Sequence, residues 1–172
     1  HTNIFFMNTT NTNIVKRDGT KEPLDINKMH FVVEQACEGL SGVSASQIEM
    51  NSQIQFTNNM STTDIQDIMI RSANDLITLE TPNYQYAAAR LLLWNVYKEV
   101  FHQFQPRHLI ALIDQNIKHG VYDPAIKQLY TKTELKKLNT YIKHDRDLDF
   151  TYAGLRQVVD KYLVQDRSTG QL

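Results

Sequence analysis

Residues 13–31 read "NIVKRDGTKEPLDINKMHF" and join two kinds of structure. Asp18-Gly19 between short apolar-polar runs is a β-hairpin signal, and the dipeptide favours a type I′ turn. Pro23 has no N–H to give a ladder, so the returning strand belongs at a sheet edge. From residue 27 the spacing changes. Met29, Val32, Val33, Ala36, Cys37 and Leu40 recur at intervals of three and four, which predicts a helix over 27–40 ended by Gly39 or Gly42. Lys16, Arg17, Lys21 and Lys28 surround this junction in a chain whose formal net charge is only −1.

Three further helices come from the same reading. "VSASQI" is a helix start, with Ser44 as cap, Gln47 at the third position and Val43 able to staple Ile48; that helix should run to about 56. "NNMSTTDI" repeats the pattern, with Ser61 as cap and Asp64 at the third position. The helix after it carries Ile65, Ile68, Met69, Ala73, Leu76 and Ile77 on one stripe and stops near Thr81-Pro82. A long helix over 82–104 has an apolar middle, Ala87 to Trp94, of the kind other helices surround. The first hundred residues thus predict a four-helix bundle capped by a small β-hairpin lid. Beyond Pro106, helices are expected at about 107–119, 131–143 and 151–163, with "HGVYDP" as a break. The tail "LVQDRSTGQL" reads as a strand and turn without its partner, which implies a sequence that stops inside a longer natural chain. Residues 1–12 read as a tail or tag remnant, with Met7 a candidate start.

Composition narrows the function. An apolar content of 41% with modest charge describes a globular chain able to bury a core. A net charge near zero supplies no global field for nucleic acid or an anionic membrane. No run is long enough for a transmembrane helix, and the first residues lack the features of a signal peptide. One cysteine, Cys37, permits no internal disulfide and suggests a reducing cytoplasm. Its place on an apolar helical face favours a buried structural thiol over a nucleophile. No GxxxxGK[ST], GxGxxG, HExxH or CxxC motif occurs. None of the six histidines forms a helical i, i+4 pair with another His or Cys, so no metal site is expected. "KHDRDLDF", residues 143–150, reads as a solvated turn capping the next helix. The cation cluster is the remaining signal. Lys28 lies in a helix's first turn, where the helix already carries partial positive charge, so it suits an external anion such as phosphate. An ordinary charged hairpin surface, its cations paired with nearby carboxylates, accounts for the same residues.

"VKRDGTKEPLDINKMH", "STTDI" and "PNYQYAAARLLLWNVYKEVFHQF" resemble, in order and spacing, the ATP-cone domain. "YTKTELKKLNTYIKHDRDLDFTYAGLRQVVDKYLVQDRSTGQL" is similar to the segment that comes after the cone in the large (alpha) subunit of class I aerobic ribonucleotide reductase. The resemblance implies a mainly α fold, with an ATP-cone over 13–104 and, over 105–172, helices leading toward an absent catalytic barrel. It implies an overall-activity site where ATP activates and dATP inhibits, each as the Mg2+ complex, in an enzyme reducing ribonucleoside diphosphates. By matched position, Lys16 and Lys28 would contact phosphate and Arg17 would support them. Residues Glu22, Pro23, Leu24, Asp25, Ile26, Asn27 and Lys28 would wrap the nucleotide. Glu22 would lie near the base and Asp25 near the sugar or base. Ile14 and Met29 would pack the adenine, and Thr62 and Lys98 would close the pocket. Asp25 stands where the family commonly has Asn, and Gln66 where some relatives carry His. Implied partners are the radical-generating small (beta) subunit and other large subunits, with neither nucleic acid nor membrane. The family's catalysis uses several cysteines that this stretch lacks, so no catalytic residue is expected here. A transcriptional repressor with a cone, an anaerobic reductase and a nucleotide-free helical interaction module are the competing readings.

Overall fold

The hairpin forms, with a different turn. In the computed structural model, which describes residues 12–166, 168 and 172, β1 (Asn13–Val15) pairs antiparallel with β2 (Lys21–Pro23). Gly19 N donates to Lys16 O at 2.9 Å, and of the turn residues only Gly19 has positive φ, +82°. That is a type I turn closed by a glycine bulge, not type I′, which needs positive φ at both central residues. Pairing of Val15 with Lys21 leaves five residues in the loop, too many for a two-residue turn.

The hairpin is also part of a larger sheet. β3 (Met60–Ser61) pairs parallel with β1 on its other side, giving the order β2-β1-β3 and leaving Pro23 on an edge strand as expected. Asn59, in the left-handed region, donates its N–H to Asn13 O at 2.7 Å, and Asn13 N donates to Asn58 Oδ1 at 2.9 Å. These bonds bring the start of the third helix to the hairpin.

The helices are α1 (Ile26–Cys37), α2 (Ala45–Gln53), α3 (Thr62–Asp75) and α4 (Tyr84–Phe101), each a little shorter than its periodicity suggested. Their caps are those the sequence specifies: Ser44 Oγ accepts from Gln47 N at 3.4 Å and Ser61 Oγ from Asp64 N at 3.0 Å. α4 is the axis. Ala87, Ala88, Ala89 and Leu91 to Leu93 are buried on it, and α1, α3 and α8 pack around it. Four alanines with no exposed surface, Ala36, Ala73, Ala87 and Ala88, let these helices approach closely. Buried Tyr84 anchors the start of α4: its hydroxyl donates to Gln47 Oε1 at 2.7 Å and accepts from Ser44 N at 3.0 Å. At the other end of α1, Arg90 Nη1 donates to Ala36 O and Glu38 O, satisfying carbonyls that the helix leaves free.

The remaining helices are α5 (Leu109–Lys118), a short α6 (Ile126–Leu129) just after the expected break, α7 (Lys132–Tyr141) and α8 (Tyr152–Lys161). Leu155 and Val159 of α8 join the α1–α4 core. The segment expected to be a solvated turn is a 3-10 helix, His144–Asp149, packed on α4, because Asp147 accepts a hydrogen bond from Tyr97. No strand forms at residues 163–166; residues 167 and 169–171 of that tail, like residues 1–11, lie outside the described part. Among the described residues no helix is long and apolar enough to cross a membrane. Cys37 is partly buried against the core, and burial pushes its thiol pKa up to about 11, so it stays protonated.

One polar clasp ties α1 to α2. His30 Nδ1 lies 2.7 Å from Glu49 Oε1 and Nε2 lies 3.1 Å from Glu34 Oε1. The hydrogen bond to Glu49 and its charge raise the His30 pKa above the ordinary 6.5. A folded-state value above the unfolded one means that the clasp contributes fully below pH 6.5 and is lost as pH rises through the raised pKa. The urea midpoint should therefore fall as pH rises from 6.5 through that raised value, and Glu49→Gln should flatten that part of the profile.

Candidate functional site

A cavity of about 510 Å³ opens between the sheet and three helices, a size within the roughly 300–1,000 Å³ typical of small-molecule sites. Each helix supplies one stripe at positions i, i+3, i+4 and i+7. On α1 and its cap these are Asp25, Lys28, Met29 and Val32; on α3 they are Thr62, Ile65, Gln66 and Met69; on α4 they are Leu91, Trp94, Asn95 and Lys98. That spacing puts each set on one face of its helix. The first turns of α1 and α3 meet the last turns of α4. Polarity is graded as a result: Lys28, Thr62 and Lys98 lie at the sheet end, and Val32, Met69 and Leu91 lie toward the core. Ile14, Lys16, Arg17, Asp18, Glu22 and Leu24 complete the sheet side, and Phe104 stands over Lys98, whose Nζ is 5.4 Å from the ring centroid.

The electrostatics of this end are unbalanced. Lys16 Nζ pairs with Glu22 Oε2 at 2.6 Å, both groups being nearly half exposed. Among the described residues Arg17, Lys28 and Lys98 have no ion-pair partner. Lys98 is half-buried; its pKa is held below the ordinary lysine value of 10.5 first by burial and then by repulsion from Lys28, Arg17 and Lys16. Four cations, Lys16, Arg17, Lys28 and Lys98, thus share one space with three carboxylates, Asp18, Glu22 and Asp25, which leaves one positive charge in excess. Asp18 is held by Thr20, its Oδ1 accepting from Thr20 N at 2.9 Å and from Thr20 Oγ1 at 2.7 Å. Asp25 caps α1, its Oδ1 accepting from Lys28 N at 3.0 Å.

Of the site residues expected from sequence, Lys16, Arg17, Glu22, Leu24, Asp25, Lys28, Met29, Thr62, Gln66 and Lys98 line this cavity. Pro23, Ile26 and Asn27 do not. Pro23 is exposed on the edge strand opposite Asn13, and Asn27 is exposed beside the stripe on α1. The sequence reading did not assign Asp18, Val32, Ile65, Met69, Leu91, Trp94, Asn95 or Phe104 to the site. Asn95 Oδ1 is the most informative of these, since it is buried without a hydrogen-bond partner and lies one helical turn inward from Lys98. A buried acceptor left unpaired costs roughly 1–3 kcal/mol, so a ligand donor there would be rewarded.

A sequence profile of the ATP cone domain matches residues 12–99, the hairpin and all three stripes. The chain belongs to the ATP-cone family. Beyond the cone the likeness continues. The chain is 42% identical over 159 residues to ribonucleoside-diphosphate reductase 1 subunit alpha of Escherichia coli (strain K12), covering 92% of this chain and 21% of that protein. It is 40% identical to the subunit alpha of Haemophilus influenzae over the same shares. It is 39% identical to that of Enterobacteria phage T4 over 160 residues, 93% of this chain and 21% of the relative. The chain therefore spans about one fifth of the length of these relatives. Residues beyond 99, including the 3-10 segment and α8 packed on the cone's central helix, lie within the reductase similarity but outside the cone profile.

Proposed function

We propose that this chain is the overall-activity domain of a cytoplasmic ribonucleoside-diphosphate reductase large subunit, binding ATP as activator and dATP as inhibitor. Residues 13–104 are the cone, and residues 105–172 begin the part that leads to the catalytic body. The parent enzyme reduces ribonucleoside diphosphates, and the nucleotide governs how its large subunits associate with one another and with the radical-generating small subunit. The observation that carries the reading is the graded cavity. Its apolar inner end suits a purine, and its four convergent cations suit a triphosphate. Lys16, Lys28 and Lys98 take the phosphates with Arg17 beside them. Asn95, one turn inward, accepts from the ribose or the adenine amine. Asp18, Glu22 and Asp25 are already engaged with Thr20, Lys16 and the α1 amide, so Mg2+ would be carried mainly by the triphosphate.

One hydroxyl separates the two effectors. A net hydrogen bond is worth about 0.5–1.5 kcal/mol, and allosteric couplings are about 1–3 kcal/mol, so the difference is large enough to bias an element with two packings. Saturating ATP or dATP with Mg2+ should raise the melting temperature, ligand at 100 times its Kd adding about 2.7 kcal/mol. Calorimetry should show dATP binding more tightly, as an inhibitor scarcer than its competitor must. The absence of any shift with either nucleotide would leave the helical interaction module as the better reading. Equal affinities would remove the sensing role.

A further inference from the structure

α4 has a second working face. Tyr97 precedes Lys98 and, at about 100° per residue, points away from the cavity stripe; it does not line the cavity. Its hydroxyl donates to Asp147 Oδ2, and His144 Nδ1 lies 3.1 Å from the same oxygen. The Tyr97 ring meets His144 edge-on at 6.5 Å and Phe101 at 5.5 Å between centroids. Burial, followed by the Asp147 hydrogen bond, drives the phenol pKa upward, so the hydroxyl remains a donor. The surroundings make this contact matter. α4 ends at His102 in the left-handed conformation, and residues 102–105 are exposed. The last turns that carry Asn95 and Lys98 are held from outside the cone by Asp147, by Arg107 Nε donating to Phe101 O at 3.1 Å and by Gln115 Nε2 donating to Val100 O at 3.5 Å.

We infer that Tyr97, Asp147 and His144 are positioning residues that set the end of α4 for its ligand, so that nucleotide in the cavity and the packing of residues 144–161 stabilise each other. The inference rests on reading the cavity as a nucleotide site. Its physical content is reciprocity: a brace that favours the ligand-ready placement of Lys98 must itself be tightened when phosphate draws Lys98 in. The route is short, because donor and ligand contact are adjacent residues of one helix, and α8 and the 3-10 segment pack on that helix directly.

Tyr97→Phe removes one oxygen and keeps the ring packing. It should weaken ATP binding about fivefold or more by calorimetry, the lower range of measured couplings, although Tyr97 does not line the cavity. Asp147→Ala should do the same. Asp147→Asn, which still accepts from the tyrosine, should bind within about twofold of the parent. Hydrogen exchange supplies a reading that a merely structural contact would not move. ATP with Mg2+ should slow exchange across residues 144–161 in the parent and fail to do so in Tyr97→Phe. Affinities for Tyr97→Phe and Asp147→Ala both within about twofold of the parent, or an identical ATP footprint on 144–161 in parent and Tyr97→Phe, overturn the brace. If the parent's melting temperature ignores ATP, the nucleotide site falls first and the brace with it; a parent that responds while the variants match it sinks the brace alone.

Discussion

Replacing Lys98 by alanine is expected to weaken ATP binding roughly 10- to 100-fold and to leave the unliganded chain no less stable. The two halves have one cause. Lys98 is half-buried among Lys28, Arg17 and Lys16, and its lowered pKa records an environment that penalises its charge. Without a bound anion the half-buried ammonium costs the fold some stability, eased by the nearby Phe104 ring. A triphosphate reverses the sign: charge-assisted hydrogen bonds, worth about 1.5–3 kcal/mol each, form in a partly dry site. Binding should also draw the Lys98 pKa back up, so affinity should decline in alkaline buffer as the free lysine loses its proton. Lys16→Ala should show a smaller loss, because its ammonium is exposed and already shared with Glu22 in a solvent-screened ion pair. Calorimetry with parallel thermal melts checks both variants. Parental affinity in both would mean that the cations do not meet on a phosphate.

The sequence exposed the parts of this arrangement that local rules govern. Ser44 and Ser61 cap the helices they were expected to cap, since a cap is a contact across three residues. Lys28 stands out as a cation in a helix's first turn, where the helix itself has no use for it, whereas Lys98, in the last turn of α4, is assigned through the resemblance. β3 was invisible because two residues carry no periodicity and their pairing with Ile14 spans 46 positions. The turn was misjudged because Asp-Gly serves both a type I′ turn and a glycine bulge, and the pairing register decides between them. Val32, Ile65, Met69, Leu91 and Trp94 read as ordinary core from their spacing, since a helix stripe facing a cavity and one facing a neighbour have the same period. Tyr97 and Asp147 lie 50 residues apart, and a single hydrogen bond over that distance leaves no pattern in one sequence. "HDRD" drew notice for its charge, and the structure puts one of its carboxylates on the cone's central helix.

Ile48→Ala should produce the largest loss of stability, about 2–5 kcal/mol, with nucleotide affinity retained. α2 is the shortest of the four cone helices and has the fewest buried residues. It is nine residues of mostly polar sequence, too short to persist alone in water. Only Ile48 and Ser52 are buried on it, and Ser52 spends its hydroxyl on Ile48 O at 2.7 Å. Ile48 is fully buried and is the apolar side chain through which α2 enters the core between α1 and α3. Truncation forfeits its transfer free energy and leaves a void in the α1–α4 core. The His30–Glu49 clasp and the Tyr84–Gln47 hydrogen bond would remain on α2, so the variant should keep the parent's pH dependence from His30 on a lower total stability. No residue of α2 lines the cavity. A folded variant should therefore still bind ATP near parental affinity, its urea midpoint much lower and recovering when nucleotide is added. Loss of ATP binding by Ile48→Ala at temperatures where circular dichroism shows it folded would mean that α2 shapes the cavity from a distance.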